Sequence, residues 1–599
     1  MRRAVALGCA VALILALAVI GFFRWPLSAA RVGDSLNAAF GASPRLHWNA
    51  PQAATFSFLP WPSLRIVDAR LDDAGGVNLL TAPTARLDLS LVELVRGRFI
   101  PTRAVLVSPT VTLDIDRPPF GASAVGSSAP ASVAQALAPL TGLSLTNGLL
   151  RVVGARRGLD LLIANVQGRL DGLTVGNQLR FNLSAEWRNT RIAIAGVMSD
   201  PEAAANGASS PFEFALDSPL AKFAFNGALA LGDKPSAEGD MTASVPSIAA
   251  LAEFVGARRP PFVAADDISA SGKLKAAPDA LTLGDATMTS AEQTFEGAVE
   301  IADPGGRPAV SGTLAAETLA LEPLLGPPQH LIDSSGGWSA KPFALTPPRT
   351  FDLDLRLSAS RLDVYGRQLT DAAASVMVTH GKLSLNLIDA AAYGGRVNGE
   401  AVLTCVDDDL KLNARGELSD ADLGAAVADF GRSTVTGRGA ARFSLETSGV
   451  SPAAAVAALS GTAALEAAEG GILGVNLEEA LRRSQRRPID AGRDMRLGGT
   501  AFDKLAVAVS VDNGRAEVER GVLTSHGVSA ELQGLINLAA QDWALQVNAV
   551  QTDAAGEESQ NAAHLTLDIE GPWRAPTVRA ISNGAEADPG VHPQTTPSR

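Results

Sequence analysis

Cysteine, tyrosine and histidine are scarce in this chain of 599 residues, with two, two and six copies. Cys9 falls inside an uncharged N-terminal run, and the rest of the chain holds one cysteine, Cys405. A disulfide-stapled scaffold is therefore excluded. The six histidines are His47, His330, His380, His526, His564 and His592. No two share metal-ligand spacing, and H-E-x-x-H is absent, so a zinc hydrolase has no ligand set. The nucleophile elbow G-x-S-x-G is missing as well. Gly272-Lys273 and Gly381-Lys382 are each followed by leucine, where a phosphate-binding loop needs Ser or Thr. A net charge of −13 leaves no basic surface for nucleic acid. Charged residues make up only 19% and aromatics 5%, which is too apolar for a disordered chain.

One long uncharged run is present. Ala4 to Phe23 reads without a charge between Arg3 and Arg24. Twenty helical residues rise ~30 Å, about one hydrocarbon core. The run is longer than the ~7–15 apolar residues of a secretory signal. Residues 1–30 are therefore expected to be a retained single-pass anchor, with Arg2 and Arg3 cytoplasmic and the remaining chain exported. The competing expectation is a cleaved signal ending near Ser28-Ala29-Ala30. From Ala29 to Phe40 apolar residues recur at helical spacing, which predicts an amphipathic helix ended by Gly41 and Pro44.

From Thr55 the period becomes two. Leu87, Leu89 and Leu91 alternate with polar residues, as do Val111, Leu113 and Ile115, and Phe181, Leu183 and Trp187. The same holds for Phe351, Leu353, Leu355 and Leu357, for Leu383, Leu385 and Leu387, and for Leu565, Leu567 and Ile569. Each run predicts a strand with one apolar and one polar face. Turn signals separate them at Asp73–Gly76, Asn147-Gly148, Asp303–Gly306 and Asp512–Gly514. Short helices are expected at 92–96, 133–138, 248–254, 319–325, 422–430, 453–459 and 477–483. A single compact core stops growing near ~250–300 residues. About 25 strands at ~4.8 Å each instead predict one elongated antiparallel sheet, mainly β, curled with its apolar face inward.

Breaks rich in Pro, Gly and Ser fall at 117–131, 199–212 and 326–350. They divide the expected organisation into an anchor (1–30), an N-terminal β module with its helix (31–116), a central β-rich segment with loops (117–350), a C-terminal β module (351–580) and a disordered tail (581–599). Asp residues alternating with Leu read as the solvated strand face rather than a catalytic carboxylate pair. Arg482, Arg483, Arg486 and Arg487 follow Glu478 and Glu479. They read as a solvated helix face with i,i+4 pairs, and as candidate lipid-headgroup contacts.

Phe56 to Leu71 (FSFLPWPSLRIVDARL), Ala82 to Leu91, Leu94 to Ile100 and Val105 to Leu113 follow one another in an order that resembles the start of the AsmA family. Ala392-Tyr393-Gly394-Gly395 resembles its Tyr-Gly-Gly turn. Leu459 to Leu465, Gly470 to Leu477 and Asp568 to Pro576 resemble its C-terminal half. Residues 120–340 carry no such likeness. The resemblance implies an inner-membrane protein with a large periplasmic domain in a Gram-negative cell, related to TamB-like and chorein-like lipid bridges and acting in outer-membrane biogenesis. It carries no catalytic residues and no cofactor, so no enzyme is expected. The expected partner is phospholipid, whose acyl chains lie on the alternating apolar positions named above, with an outer-membrane component as a further partner. The competing expectation is a non-catalytic factor that assists outer-membrane protein assembly through its strand edges.

Overall fold

The structure is a computed structural model. It describes residues 21–581 apart from 41–45, 50, 74–77, 97–99, 115–141, 155–158, 173–177, 233, 257–264, 304–306, 344–346, 348, 407–408, 430–434, 475, 485–497 and 554–561. Most of the expected anchor, the helix expected at 133–138, the break at 117–131, Ile115, Arg486, Arg487 and nearly all of the tail lie outside the described residues. Gly21 and Phe22 are helical. Among the described residues no helix is long and apolar enough to cross a membrane. Trp25–Leu27, within the span expected to be anchor, is a short strand paired antiparallel with Ala54 to Phe56.

The fold is mainly β, with short helices between strands. The chain divides into two compact units, residues 1–259 with 266–290, and residues 260–265 with 291–599. In the first, sixteen strands run among the described residues from Trp25–Leu27 to Ala280–Ser290. Most pair antiparallel with the next in sequence, as alternation and short turns favour. Trp25–Leu27 and Leu46–Trp48 each pair with the next strand but one, and Gly142–Gly154 runs parallel to both Pro101–Val107 and Thr110–Asp114. Among its described residues the second unit holds fifteen strands, from Gln293–Ala302 to Thr577–Ile581. There the strand Asp352–Val364 runs parallel to Ala309–Ala320. A parallel pair needs a crossover, and residues 321–351 supply it. Arg307 and Asp352 fix its return through a 2.6 Å ion pair. That guanidinium, helped by the His380 backbone N–H, holds the Asp352 carboxyl below the usual carboxylate range.

Strand bends have a common cause. Asn147, Asn165, Asp285, Asp371, Asp420 and Glu469 all have positive φ and sit at register shifts within strands. Asp and Asn tolerate the left-handed region best among residues with a Cβ. One extra residue there makes a β-bulge and increases local twist. Asn147-Gly148, expected as a hairpin turn, is one of these bulges inside the strand Gly142–Gly154. Asn513-Gly514 does form its turn, with φ of 47° and 70°.

Three closed cores stand out. One joins Val32 of the helix Ala29–Phe40 to Phe56, Leu64, Ile66, Leu87 and Leu106. A second gathers Leu319, Ala359, Leu362, Ala372 and Ala390. The third lies beneath the helix Leu477–Ser484, where Leu477, Ala480 and Leu481 pack with Leu505, Leu523, Val528, Leu565 and Leu567.

Candidate functional site

Strand register decides which apolar residues meet. In the first unit one ladder row passes through Leu27, Ala54, Ile66, Ala85, Leu106, Leu145, Gly168, Leu183, Ile194, Leu216, Phe223, Ala243, Ala270 and Met288. A neighbouring row carries Leu64, Leu87, Ala104, Leu143, Leu170, Phe181, Gly196, Phe214, Phe225 and Met241. Neither row contains a charged or hydrogen-bonding side chain. The second unit repeats the pattern. Its row runs through Val299, Gly312, Leu355, Val376, Leu385, Ala401, Ala414, Leu445, Gly461, Val511, Ala516, Ile536, Trp543 and Gly571.

Burial distinguishes this face from a sandwich interior. Phe214, Leu216, Phe223, Met241 and Leu355 are only half-buried, while Glu213, Ala215, Ala224, Thr242 and Asp354 on the opposite face are exposed. A second layer packed ~10 Å away would bury such large side chains almost fully. Ile301, Leu385 and Phe443 on the apolar face are 45%, 42% and 44% exposed. The opposite face carries exposed cross-strand ion pairs, among them Lys273–Asp285 at 2.8 Å and Arg361–Glu317 at 3.2 Å. Exposed pairs of this kind are screened by water and add little to stability.

Glycine and aromatic residues fit together along the rows. A Cβ on Gly196 would lie 2.4 Å from Cζ of Phe181, so that ring covers the glycine. Phe443 covers Gly416 in the same way, with a would-be Cβ contact of 2.8 Å. Two hollows open on this face. One of 290 Å³ is lined by Ala441, Phe443, Ala463, Leu465, Val507 and Val509. The other, of 390 Å³, lies against the helix Ala29–Phe40 and is walled by Leu27, Val32, Leu64, Leu87 and Leu89.

The candidate positions distribute unevenly over this surface. Leu183 lies on the first row and Leu87 and Phe181 on its neighbour, whereas Leu87 and Leu89 are buried in the closed core near the helix Ala29–Phe40. Val111 pairs with Leu80 and Leu150, and Leu113 with Val152. Trp187 stands at a hairpin, its ring 4.5 Å from that of Phe254 in the helix Ile248–Val255. Phe351 is half-buried one residue before its strand. Leu353, Leu355 and Leu357 are joined to Leu383, Leu385 and Leu387 through Val378, Val376 and Ala374. Leu565 and Leu567 share the apolar face but are sealed under the helix Leu477–Ser484, and Ile569 is half-buried beyond them.

Leu91 is a correction. It opens the short helix Leu91–Val95 and is 57% exposed, because the Ser90 hydroxyl accepts from the Glu93 N–H and ends the strand. Of the two i,i+4 pairs expected in the arginine cluster, Glu479–Arg483 forms and Glu478–Arg482 does not. Arg482 and Arg483 both contact Glu479, the latter at 2.6 Å, and Glu478 is not the partner of Arg482. The Arg483 hydrogen bond, above all, holds Glu479 below the usual carboxylate range. Among the described residues no group of three or more His, Cys, Asp or Glu could hold a metal ion.

The Tyr-Gly-Gly segment has a structural role. Tyr393 and Gly394, with φ of 52° and 71°, make the turn between Lys382–Ala392 and Gly395–Val406. The Tyr393 hydroxyl donates to the Asp429 carboxylate at 2.8 Å. Burial, aided by that carboxylate, pushes the phenol above its ordinary value. Residues 334–520 match the AsmA family model, which bears out the resemblance read from the sequence, and this turn and the Gly470–Leu477 segment fall inside the match. No curated protein and no solved structure matches the chain.

Proposed function

We propose that this AsmA-family chain is a periplasmic lipid-binding protein of outer-membrane biogenesis, held to the inner membrane by residues 4–23. The curled sheet forms a groove that shields phospholipid acyl chains on their way between membranes. Headgroups remain in water at the open side. The chain acts without a cofactor and is not an enzyme. An acyl chain leaving a bilayer exposes methylenes at ~0.8 kcal/mol each, on the order of 20 kcal/mol for a whole lipid. A continuous apolar floor offsets most of that, and it needs continuity rather than a selective pocket.

The observation that carries this reading is the long rows without a charged residue, which beyond the closed N-terminal core stay only half-buried at Leu216, Phe223, Met241 and Leu355 and are not covered there by a second layer. A photoreactive residue introduced at Phe223 in the full chain, expressed in its own type of cell, is expected to form phospholipid adducts detectable by mass spectrometry. The same residue at Ala224, one position along and on the opposite face, is expected to form few. Equal yields at the two positions would remove the groove from the explanation.

A further inference from the structure

The end of the first unit that faces its N-terminus is unusually apolar for a surface in water. Three segments meet there. The strands Ala53–Ser57 and Ser63–Asp73 are joined by a loop whose Phe58 is 50% and Trp61 68% exposed. The helix Leu91–Val95 buries none of its residues, and Val92 and Val95 are 59% and 83% exposed. The Leu89 N–H donates to the Pro62 carbonyl at 2.8 Å, which fixes loop and helix side by side. Phe22 and Phe23 join them at 62% and 54% exposure, with Phe23 edge-on to Trp25 at 5.2 Å. Leu94 alone packs toward the core, so folding gives no reason for the other three apolar side chains of this helix, Leu91, Val92 and Val95, to be apolar.

The chain itself indicates what covers this patch. The Gly21 carbonyl accepts from the N–H groups of Phe58 at 3.1 Å and Leu59 at 2.8 Å. A Cβ on Gly21 would lie 2.3 Å from Leu59 Cδ1, so the two segments are tightly seated. The uncharged run that ends at Phe23 therefore departs from the middle of the patch. If that run enters a bilayer, the patch lies against the same bilayer. Trp and Tyr favour the headgroup level, and exposed Arg24 stands beside the patch where anionic headgroups would be, whereas Arg96 is paired with Glu93 at 2.7 Å.

We propose that Phe58, Trp61, Val92 and Val95 form an interfacial docking surface that sinks into the outer leaflet around the anchor. It lies ~5–10 Å into the headgroup and acyl boundary. The hollow walled by Leu27, Leu64 and Leu89 is at this same end, which places the start of the apolar face next to the lipid. The proposal rests on the anchored reading above but fails separately from it.

The test uses the full chain with Cys9→Ser and Cys405→Ser. An environment-sensitive fluorophore is attached in turn at Trp61→Cys, Val92→Cys, Val95→Cys and, as control, Glu213→Cys on the exposed face. Protein is reconstituted in phosphatidylethanolamine–phosphatidylglycerol vesicles containing lipids with nitroxide on the acyl chain. The first three sites are expected to shift to the blue and to be quenched several-fold more than position 213. Val92→Asp with Val95→Asp, both at exposed positions, is expected to relieve quenching at position 61. Sites 61, 92 and 95 reading like 213 would overturn the docking surface, even with the protein still resistant to alkaline extraction and still forming lipid adducts at Phe223. A blue shift in the vesicles without quenching by the acyl-chain nitroxide would assign the patch to a second copy of the chain and overturn it too.

Discussion

Leu355→Asp against Asp354→Leu places one charge on the apolar face and removes one from the other. Leu355 lies between Gly312 and Val376 in its row, each one strand away, or ~4.8 Å. Gly312 offers no side chain, so an acyl chain lying along the row rests on Leu355 and Val376. A carboxylate at 355 must keep its water, because an apolar environment without a partner costs an amide or hydroxyl ~2–7 kcal/mol and an ionised group far more. The lipid then loses contact over about three methylenes, worth ~2.4 kcal/mol at ~0.8 kcal/mol each. At 1.4 kcal/mol per decade that is on the order of a fiftyfold fall in local occupancy. The assay is the yield of phospholipid adducts from a photoreactive residue at Val376, read with complementation of a deletion strain. Asp354 is exposed, and its replacement by leucine is expected to leave both readouts near the parent. Thermal melting of both variants separates lipid loss from unfolding. Two folded variants with the same adduct yield would refute the claim that continuity of this face matters.

Two further outcomes follow from backbone and charge. Gly168 has φ of +145°, and a Cβ there would sit 2.1 Å from the Asn182 carbonyl oxygen, whereas Gly256 has φ of +76° and nothing within 4 Å. Gly256→Ala is expected to cost ~1–2 kcal/mol from conformation alone, and Gly168→Ala ~3 kcal/mol or more, with backbone forced apart; urea midpoints that fall equally would remove steric contact as the cause. The Asp352 carboxyl is held below its ordinary value by Arg307, so its contribution is complete above the unfolded pKa of ~3.9 and is lost as pH falls through the lower folded value. Asp352→Asn is therefore expected to flatten the acid side of the stability–pH curve below about pH 4, and an unchanged acid slope would count against that ion pair.

The alternation of Leu353, Leu355 and Leu357 with Asp354 and Arg356 was enough to place a strand and choose its wet face. Leu91 broke the same pattern because Ser90 and Glu93 cap a helix, a spacing legible in Ser-x-x-Glu. Asn147-Gly148 has the chemistry of a hairpin turn, yet a bulge asks for the same positive φ, and local sequence does not distinguish the two. Asp285 and Asp420 read as ordinary polar-face residues, although each shifts its strand's register by an extra residue. The closing of Leu565 and Leu567 under Leu477–Ser484 depends on segments far apart in the chain. So does the parallel pairing across the 321–351 crossover. Neither has a periodic signature.

Folding alone does not explain the rows. The closed cores at Ile66 and Leu567 need apolar residues because water never reaches them. Ile301, Leu385 and Phe443 stay more than 40% exposed, so polar side chains there would cost the fold little by the area removed from water. The bulges sharpen the point. Each extra residue would turn the next side chains to the wrong face, since a slip of one residue inverts a strand. Past the bulge in Lys382–Ala392, however, the apolar positions change parity with the backbone: Leu387 and then Ala390 face inward, and Asp389 pairs outward with Arg396. The sequence therefore follows the face, not the strand number, and keeps it free of charge where stability does not demand it. A surface maintained in that way has a use for its apolar character beyond holding the sheet together.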